Sequence, residues 1–154
     1  MNGRILAVDP GEKRLGIAIS DPGAAFARPL LVLKHVSRQA DAAYIARLAE
    51  EHEVVRIIVG WALDVDGNPT QQARSAARLA EALRKVTDRP VEMWDESGST
   101  QAAREARIRM GVTRRKRSGH LDEVAAAVIL QTYLDAHAQT SRWMTGLDEN
   151  FSGE

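Results

Sequence analysis

Three carboxylates stand where apolar runs stop. Asp9 follows Ile5–Val8. Glu96, with Asp95 beside it, follows Val91–Trp94. Asp122 opens a run in which Ala125, Ala126, Ile129 and Tyr133 recur at helical spacing, so it belongs to the buried stripe of a helix rather than its wet side. A carboxylate at the edge of a core needs a compensating partner. Three of them brought together would form an all-oxygen cage for Mg²⁺ or Mn²⁺, hard cations that take carboxylates together with phosphate oxygens of a substrate. Each acid alone has an ordinary role. Asp9 before Pro10-Gly11 suits a turn, Asp122 suits a helix start, and Asp95-Glu96 suits a strand end in water. Their conjunction, each at an element's end beside apolar residues, points to metal-assisted chemistry on a phosphate.

The basic residues point the same way. Arg104, Arg107, Arg109, Arg114, Arg115, Lys116 and Arg117 fall within fourteen residues, opposed there only by Glu105. A run of that density directly before Asp122 reads as a surface that contacts phosphates, with Arg suited to bidentate contact. Asp9–Gly16 is a glycine-bearing turn between two strands. Such a turn lets backbone N–H groups approach a phosphate, and Lys13 or Arg14 would add charge. The candidate nucleic-acid contacts are therefore Lys13, Arg14, Arg107, Arg114, Arg115, Lys116 and Arg117. His120, two residues from Asp122, is an auxiliary candidate for moving protons, and Asp95 is an auxiliary acid. His35, His52 and His137 show no ligand spacing. Trp61 and Trp94 flank strand ends and suit core packing. Aromatics at 5% make a base-stacking platform a poor fit.

These residues must be positioned by a fold of 154 residues, enough for one domain with a core of its own. With no cysteine, a disulfide scaffold, a thiolate-ligated zinc and a Cys nucleophile are excluded. The 21 basic and 21 acidic side chains cancel, which excludes only a uniformly basic binder and leaves room for a local basic patch. The longest apolar or glycine stretches, 57–63 and 124–130, are seven residues, against the roughly 20 a membrane-spanning helix needs. The N-terminal run ends at Asp9 and is no signal peptide. No membrane association and a cytoplasmic location are the expectations.

Apolar runs at Ile5–Val8, Leu15–Ile19 and Leu30–Leu33, broken by Asp9-Pro10-Gly11 and Ser20-Asp21-Pro22-Gly23, predict three strands that begin antiparallel. Ser37 caps a helix to about His52 with Tyr44, Ile45, Leu48 and Ala49 on one face. Val54–Val59 is a strand. Thr70 caps a helix carrying Ala76, Leu79, Ala80 and Leu83, and Val91–Trp94 is a fifth strand. Helices follow from Ser99 to about Met110 and from Leu121 to about His137. The order β-β-β-α-β-α-β-α-α predicts an α/β domain over 1–138, a mixed five-stranded sheet with helices on both faces. Sites in such sheets gather where strands end. Residues 139–154 read as a polar, mobile tail.

Ala7-Val8-Asp9-Pro10-Gly11 to Gly16-Ile17-Ala18, Ile57-Ile58-Val59-Gly60, Asp66-Gly67, Asp95-Glu96 and Asp122-Glu123-Val124-Ala125-Ala126 to Ile129-Leu130-Gln131 occur in one order. In these the chain closely resembles the YqgF/RuvX family of Holliday-junction resolvases, also described as pre-16S rRNA nucleases. The resemblance covers residues 4 to about 135. It implies an RNase H-like fold and a metal-dependent nuclease whose acidic positions are Asp9, Glu96 and Asp122. The implied cofactor is Mg²⁺ or Mn²⁺. The implied partner is nucleic acid: an RNA precursor, or branched DNA, for which two active sites and hence a homodimer are needed. A nucleic-acid binder without catalysis is a third alternative. An ATP-binding module resembling actin-like folds is a fourth, disfavoured because those folds need two lobes. The sequence departs from the family at Ser97-Gly98, where Arg and Leu are usual, and at Gly60-Trp61-Ala62-Leu63-Asp64, where Gly-Leu-Pro-Leu-Asn is usual. These departures bear on substrate preference and catalytic efficiency rather than fold.

Overall fold

The computed structural model describes residues 3–61, 68, 70–95 and 124–138. The helix expected over 99–110, the basic run and the tail lie outside them. The described strands are β1 (Arg4–Pro10), β2 (Arg14–Ser20), β3 (Ala27–Lys34), β4 (Val54–Trp61) and β5 (Val91–Asp95), and they form one sheet in the order β3-β2-β1-β4-β5. β1, β2 and β3 are a meander of antiparallel neighbours, while β1 pairs with β4 and β4 with β5 in parallel. This is the expected mixed five-stranded sheet. β3 begins three residues earlier than its apolar run. As an edge strand it needs no alternating apolar pattern there, and it tolerates Pro29. The register slips between Ile17, which faces Leu31, and Ala18, which faces Pro29, so Leu30 is an extra residue at a bulge.

Two helices cover one face. α1 (Arg38–Glu51) starts at Ser37, whose side chain accepts from the Ala40 N–H at 3.1 Å. α2 (Gln71–Val86) starts at Thr70, whose hydroxyl accepts from the Ala73 N–H at 3.0 Å. They pack over Leu6, Val8, Ile57 and Val59 through Ala42, Ile45, Leu48, Ala76, Leu79 and Leu83. One expectation is corrected. The inward face of α1 is Asp41, Ala42, Ile45, Leu48 and Ala49, and Tyr44 is exposed. The stripe i, i+4, i+7, i+8 counted from Asp41 fits the helical period and leaves Tyr44 about one residue's turn outside it.

A third helix, α3, runs over 124–138 and covers the other face, where Ala126, Ile129, Leu130, Tyr133 and Leu134 meet Ile5, Ala7, Ala18 and Ile58. Its approach depends on Gly60. A Cβ there would lie 2.6 Å from Ile129 Cδ1, and Ile129 is itself buried. Farther along α3, Trp94 Nε1 donates to Thr132 Oγ1 at 2.9 Å, and the Trp94 ring meets Tyr133 edge-on at 5.1 Å between centroids. The Tyr133 hydroxyl donates to Glu92 Oε2 at 3.0 Å, and Glu92 also pairs with Arg56 at 2.9 Å. Gln131 reaches the β2–β3 loop, accepting from the Ala27 N–H at 2.9 Å and donating to the Ala25 carbonyl at 3.1 Å. Ile129 sits at the C-terminal end of β4, and Tyr133 sits deeper, at the level of Arg56 and Glu92. α3 therefore runs antiparallel to β4 and β5, and its first described turn lies at the sheet end where Asp9 stands. Among the described residues, no helix is long and apolar enough to cross a membrane.

Burial first, and the hydrogen bond to Glu92 second, push the Tyr133 hydroxyl from its ordinary 10.0 to about 12. The folded protein thus keeps a proton that the unfolded chain loses above pH 10. The stabilisation is complete below pH 10 and is lost as pH rises from 10 towards 12, with a slope of at most about 1.4 kcal/mol per pH unit. Denaturant titrations across that window should show this component in the wild type and lack it in Tyr133→Phe.

Candidate active site at the end of the central strands

Asp9 is the first polar residue of β1 after four fully buried ones, Ile5 to Val8. It faces Gly16 of β2 across the antiparallel pair. Val8, Val59 and Met93 share one row of the sheet; Asp9 follows Val8 just as Gly60 follows Val59 and Trp94 follows Met93. Alternation puts these three on the α3 side, as the contacts of Gly60 and Trp94 show. At the strand's end the carboxylate is also within reach of the other layer: Gln72, in the first turn of α2, donates from Nε2 to Asp9 Oδ1 at 3.0 Å. Asp9 thus joins both helical layers, half-buried, at the mouth of a cleft of about 310 Å³ lined also by Gly11, Glu12, Arg14, Gln72 and Ser75.

The turn after Asp9 is tight. The Gly11 N–H donates to the Arg14 carbonyl at 2.9 Å, and a Cβ on Gly11 would lie 2.4 Å from that same oxygen. This glycine serves close approach of backbone to backbone. Its N–H is spent within the turn. Positive charge at the cleft comes from Arg14, against the acids Asp9 and Glu12. Lys13 contributes its carbonyl, which accepts the His35 N–H at 2.9 Å and fastens the turn to the entry of α1.

Asp95 lies one residue beyond Trp94, opposite Trp61. Alternation sends it to the face opposite Asp9, and two strand spacings, roughly 10 Å, separate β1 from β5. The structure brings Asp9 and Arg14 to one cleft, and Asp95 is not among the residues that line it. Glu96, Asp122, Arg107, Arg114, Arg115, Lys116, Arg117 and His120 lie outside the described residues. Among the described residues, no three His, Asp or Glu side chains are grouped to hold a metal ion; one member of the expected triad, Asp9, is described. The neighbours expected to share a stripe with Asp122, namely Ala125, Ala126, Ile129 and Tyr133, are all buried.

Two features escaped the sequence reading. One is Gln72, whose helix start was signalled by Thr70 but whose partner was not. The other is the pair His35 Nδ1–Asp41 Oδ2 at 2.5 Å. Asp41 at i−4 from Ile45 was the available signal for it.

A family model described as RuvX, Holliday junction resolvase, matches residues 3–136. The chain belongs to this family. Among its relatives, a protein of Syntrophus aciditrophicus is 38% identical over 149 residues, spanning 97% of this chain and 99% of that protein. Another, of Anaeromyxobacter sp., is 44% identical over 133 residues, spanning 86% and 96%. Both carry the name "Putative pre-16S rRNA nuclease". Among solved structures, Thermus thermophilus RuvC in complex with a Holliday junction substrate superposes with a TM-score of 0.57 at 18% identity, covering 90% of this chain and 97% of that one. The fowlpox virus Holliday junction resolvase does so with 0.50 at 14%, covering 86% and 99%. At those identities the likeness is one of fold, and it agrees with the RNase H-like expectation for this RuvX-family chain.

Gly11→Ala should force the Asp9–Arg14 turn open. The expected cost is about 1–3 kcal/mol, read as a lower midpoint in chemical denaturation. An unchanged midpoint would show that the turn relaxes without strain.

Proposed function

We propose that this chain is a divalent-metal-dependent phosphodiesterase that cuts RNA in the maturation of the 16S rRNA precursor. Residues 1–138 form the catalytic domain and 139–154 a polar tail outside it. The observation that carries the reading is Asp9. It is a carboxylate at the end of the doubly covered central strand, held by Gln72 and opening on a cleft that also holds Arg14, in a chain whose relatives carry a pre-16S rRNA nuclease name.

The donor chemistry fits Mg²⁺ or Mn²⁺. Asp9 is an oxygen donor at a half-open position, and the two further acids assigned to the site, Glu96 and Asp122, are also carboxylates, with no thiolate in the chain to compete. Such an ion lowers the pKa of an attacking water and stabilises charge on the phosphate oxygens. The chain's own residues do the rest. Gln72 fixes the Asp9 carboxylate. Arg14 meets the phosphate at the cleft, and Arg107 with Arg114–Arg117 neutralise the flanking backbone. His120 is placed in sequence to move a proton near Asp122. Glu96 rather than Asp95 is the acid assigned on β5's side, because the family's acidic position falls on Glu96 of the Asp95-Glu96 pair. No covalent nucleophile is needed. The work belongs in the cytoplasm, where the precursor is made.

Asp9→Asn should abolish Mg²⁺- or Mn²⁺-dependent cleavage of a 16S precursor fragment while leaving its binding in place. Full metal-dependent activity in that variant would overturn the assignment. The description of the matching family favours a second reading, resolution of four-way DNA junctions. Symmetric cuts there require a homodimer with two active sites. Side-by-side assays on the precursor and a synthetic junction, with the mass in solution, separate the two readings.

A further inference from the structure

The cleft at Asp9 does not end at the turn. Pro10, Gly11, Glu12, Gln71 and Ser75 also wall a second hollow of about 370 Å³, whose far side is His35, Arg38 and Asp41. Asp41 is buried there at 3% exposure. Both its oxygens are engaged: Oδ2 with His35 Nδ1, and Oδ1 with the Val36 N–H at 3.2 Å. A buried carboxylate satisfied in this way holds the imidazole in one orientation. The other ring nitrogen, Nε2, has no hydrogen-bond partner among the described residues. Arg38 is a half-buried residue lining the same hollow, and its side chain has neither an ion pair nor a hydrogen bond among the described residues. Arg38 also lines the hollow that follows between α1 and α2, where Arg78 and Lys85 stand against Glu81. A path of positive side chains thus leaves the Asp9 cleft over α1. The acids facing it are Glu12, at the boundary of the first two hollows, Asp41, already paired, and Glu81.

We propose that the His35–Arg38 hollow is a second phosphate subsite. It holds a backbone phosphate of the RNA that flanks the one at Asp9, through the Arg38 guanidinium and, in the imidazolium form in which Nδ1 donates to Asp41 and Nε2 also carries a proton, through His35 Nε2–H. Arg offers two parallel N–H groups to a phosphate. His35 offers one nitrogen aimed by Asp41, and the continuity of the hollows supplies the track that a sugar-phosphate backbone needs. The subsite lies outside the arginine run of 104–117 and would set the direction in which the strand leaves the site. The inference rests on the nuclease reading for the identity of its ligand.

The test uses the full chain and a labelled single-stranded fragment of 16S precursor RNA, with affinity measured without divalent metal across a series of KCl concentrations and cleavage measured with Mg²⁺. Arg38→Gln should weaken binding about fivefold, flatten the slope of log K against log salt by about 0.7, and place its loss in KM rather than kcat. Arg38→Lys should restore most of the slope. His35→Gln should raise KM beyond any effect on melting temperature. If the wild type binds RNA and Arg38→Gln keeps the wild-type slope and KM, the subsite is overturned while the nuclease reading stands. A His35→Gln protein that melts lower but keeps its KM overturns the part given to His35. A wild type that binds no RNA removes the RNA-nuclease reading and the subsite with it.

Discussion

The strand β1 is packed on both faces, and most of the rest follows from that. Ile5 and Ala7 face α3 while Leu6 and Val8 face α1 and α2, all fully buried. A charge anywhere along those four residues would be stranded in the core at a cost of several kcal/mol. The end of the strand is the first position where one is tolerated, and Asp9 occupies it. The same packing holds that carboxylate still. Its backbone is paired with Gly16 on β2, and its side chain is bonded to Gln72 from α2. A polar group at the edge of two rigid layers is well placed for chemistry that needs fixed oxygen donors.

The two faces are joined differently. On the α1–α2 side the contacts are aliphatic and rest on two capped helix starts, Ser37 and Thr70, which aim the first turns of both helices at the strand ends. On the α3 side small residues permit close approach, Gly60 and Ala126 above all, and a few polar bonds set the height of the helix: Trp94 to Thr132, Tyr133 to Glu92, Gln131 to the β2–β3 loop. The seat of Ile129 over Gly60 and these directional bonds at three heights together fix the register of the helix. α3 is the helix whose preceding residues carry Asp122, so its height matters to the site.

Much of this was legible in the sequence. The five strands, their mixed order and both cap residues followed from runs, turn residues and spacing, and the α2 stripe of Ala76, Leu79, Ala80 and Leu83 is buried as its period required. Asp9 was legible because it ends an apolar run before a Pro-Gly turn. Tyr44 was misplaced because an aromatic and an aspartate compete for one helical face, and composition favours the aromatic. The structure turns Asp41 inward, where His35 compensates it. Such pairing depends on two elements meeting, which no periodicity reports. For the same reason Gln72 read as an ordinary residue of a helix's first turn. The steric use of Gly11 was not legible either, because it needs the Arg14 carbonyl in place.

The bonds of Gln131 to Ala25 and Ala27 join positions more than a hundred residues apart. Synthesis on the ribosome gives that span a direction in time. All five strands and both helices of the first layer leave the exit tunnel before α3 does. Until then the nascent sheet presents Ile5, Ala7, Ala18 and Ile58 without the α3 side chains that cover them. Contacts of such sequence separation form late and slowly. A half-covered sheet is the species in which chains associate wrongly. The closing of the second face is therefore the step at which a growing chain of this protein is most in need of shelter.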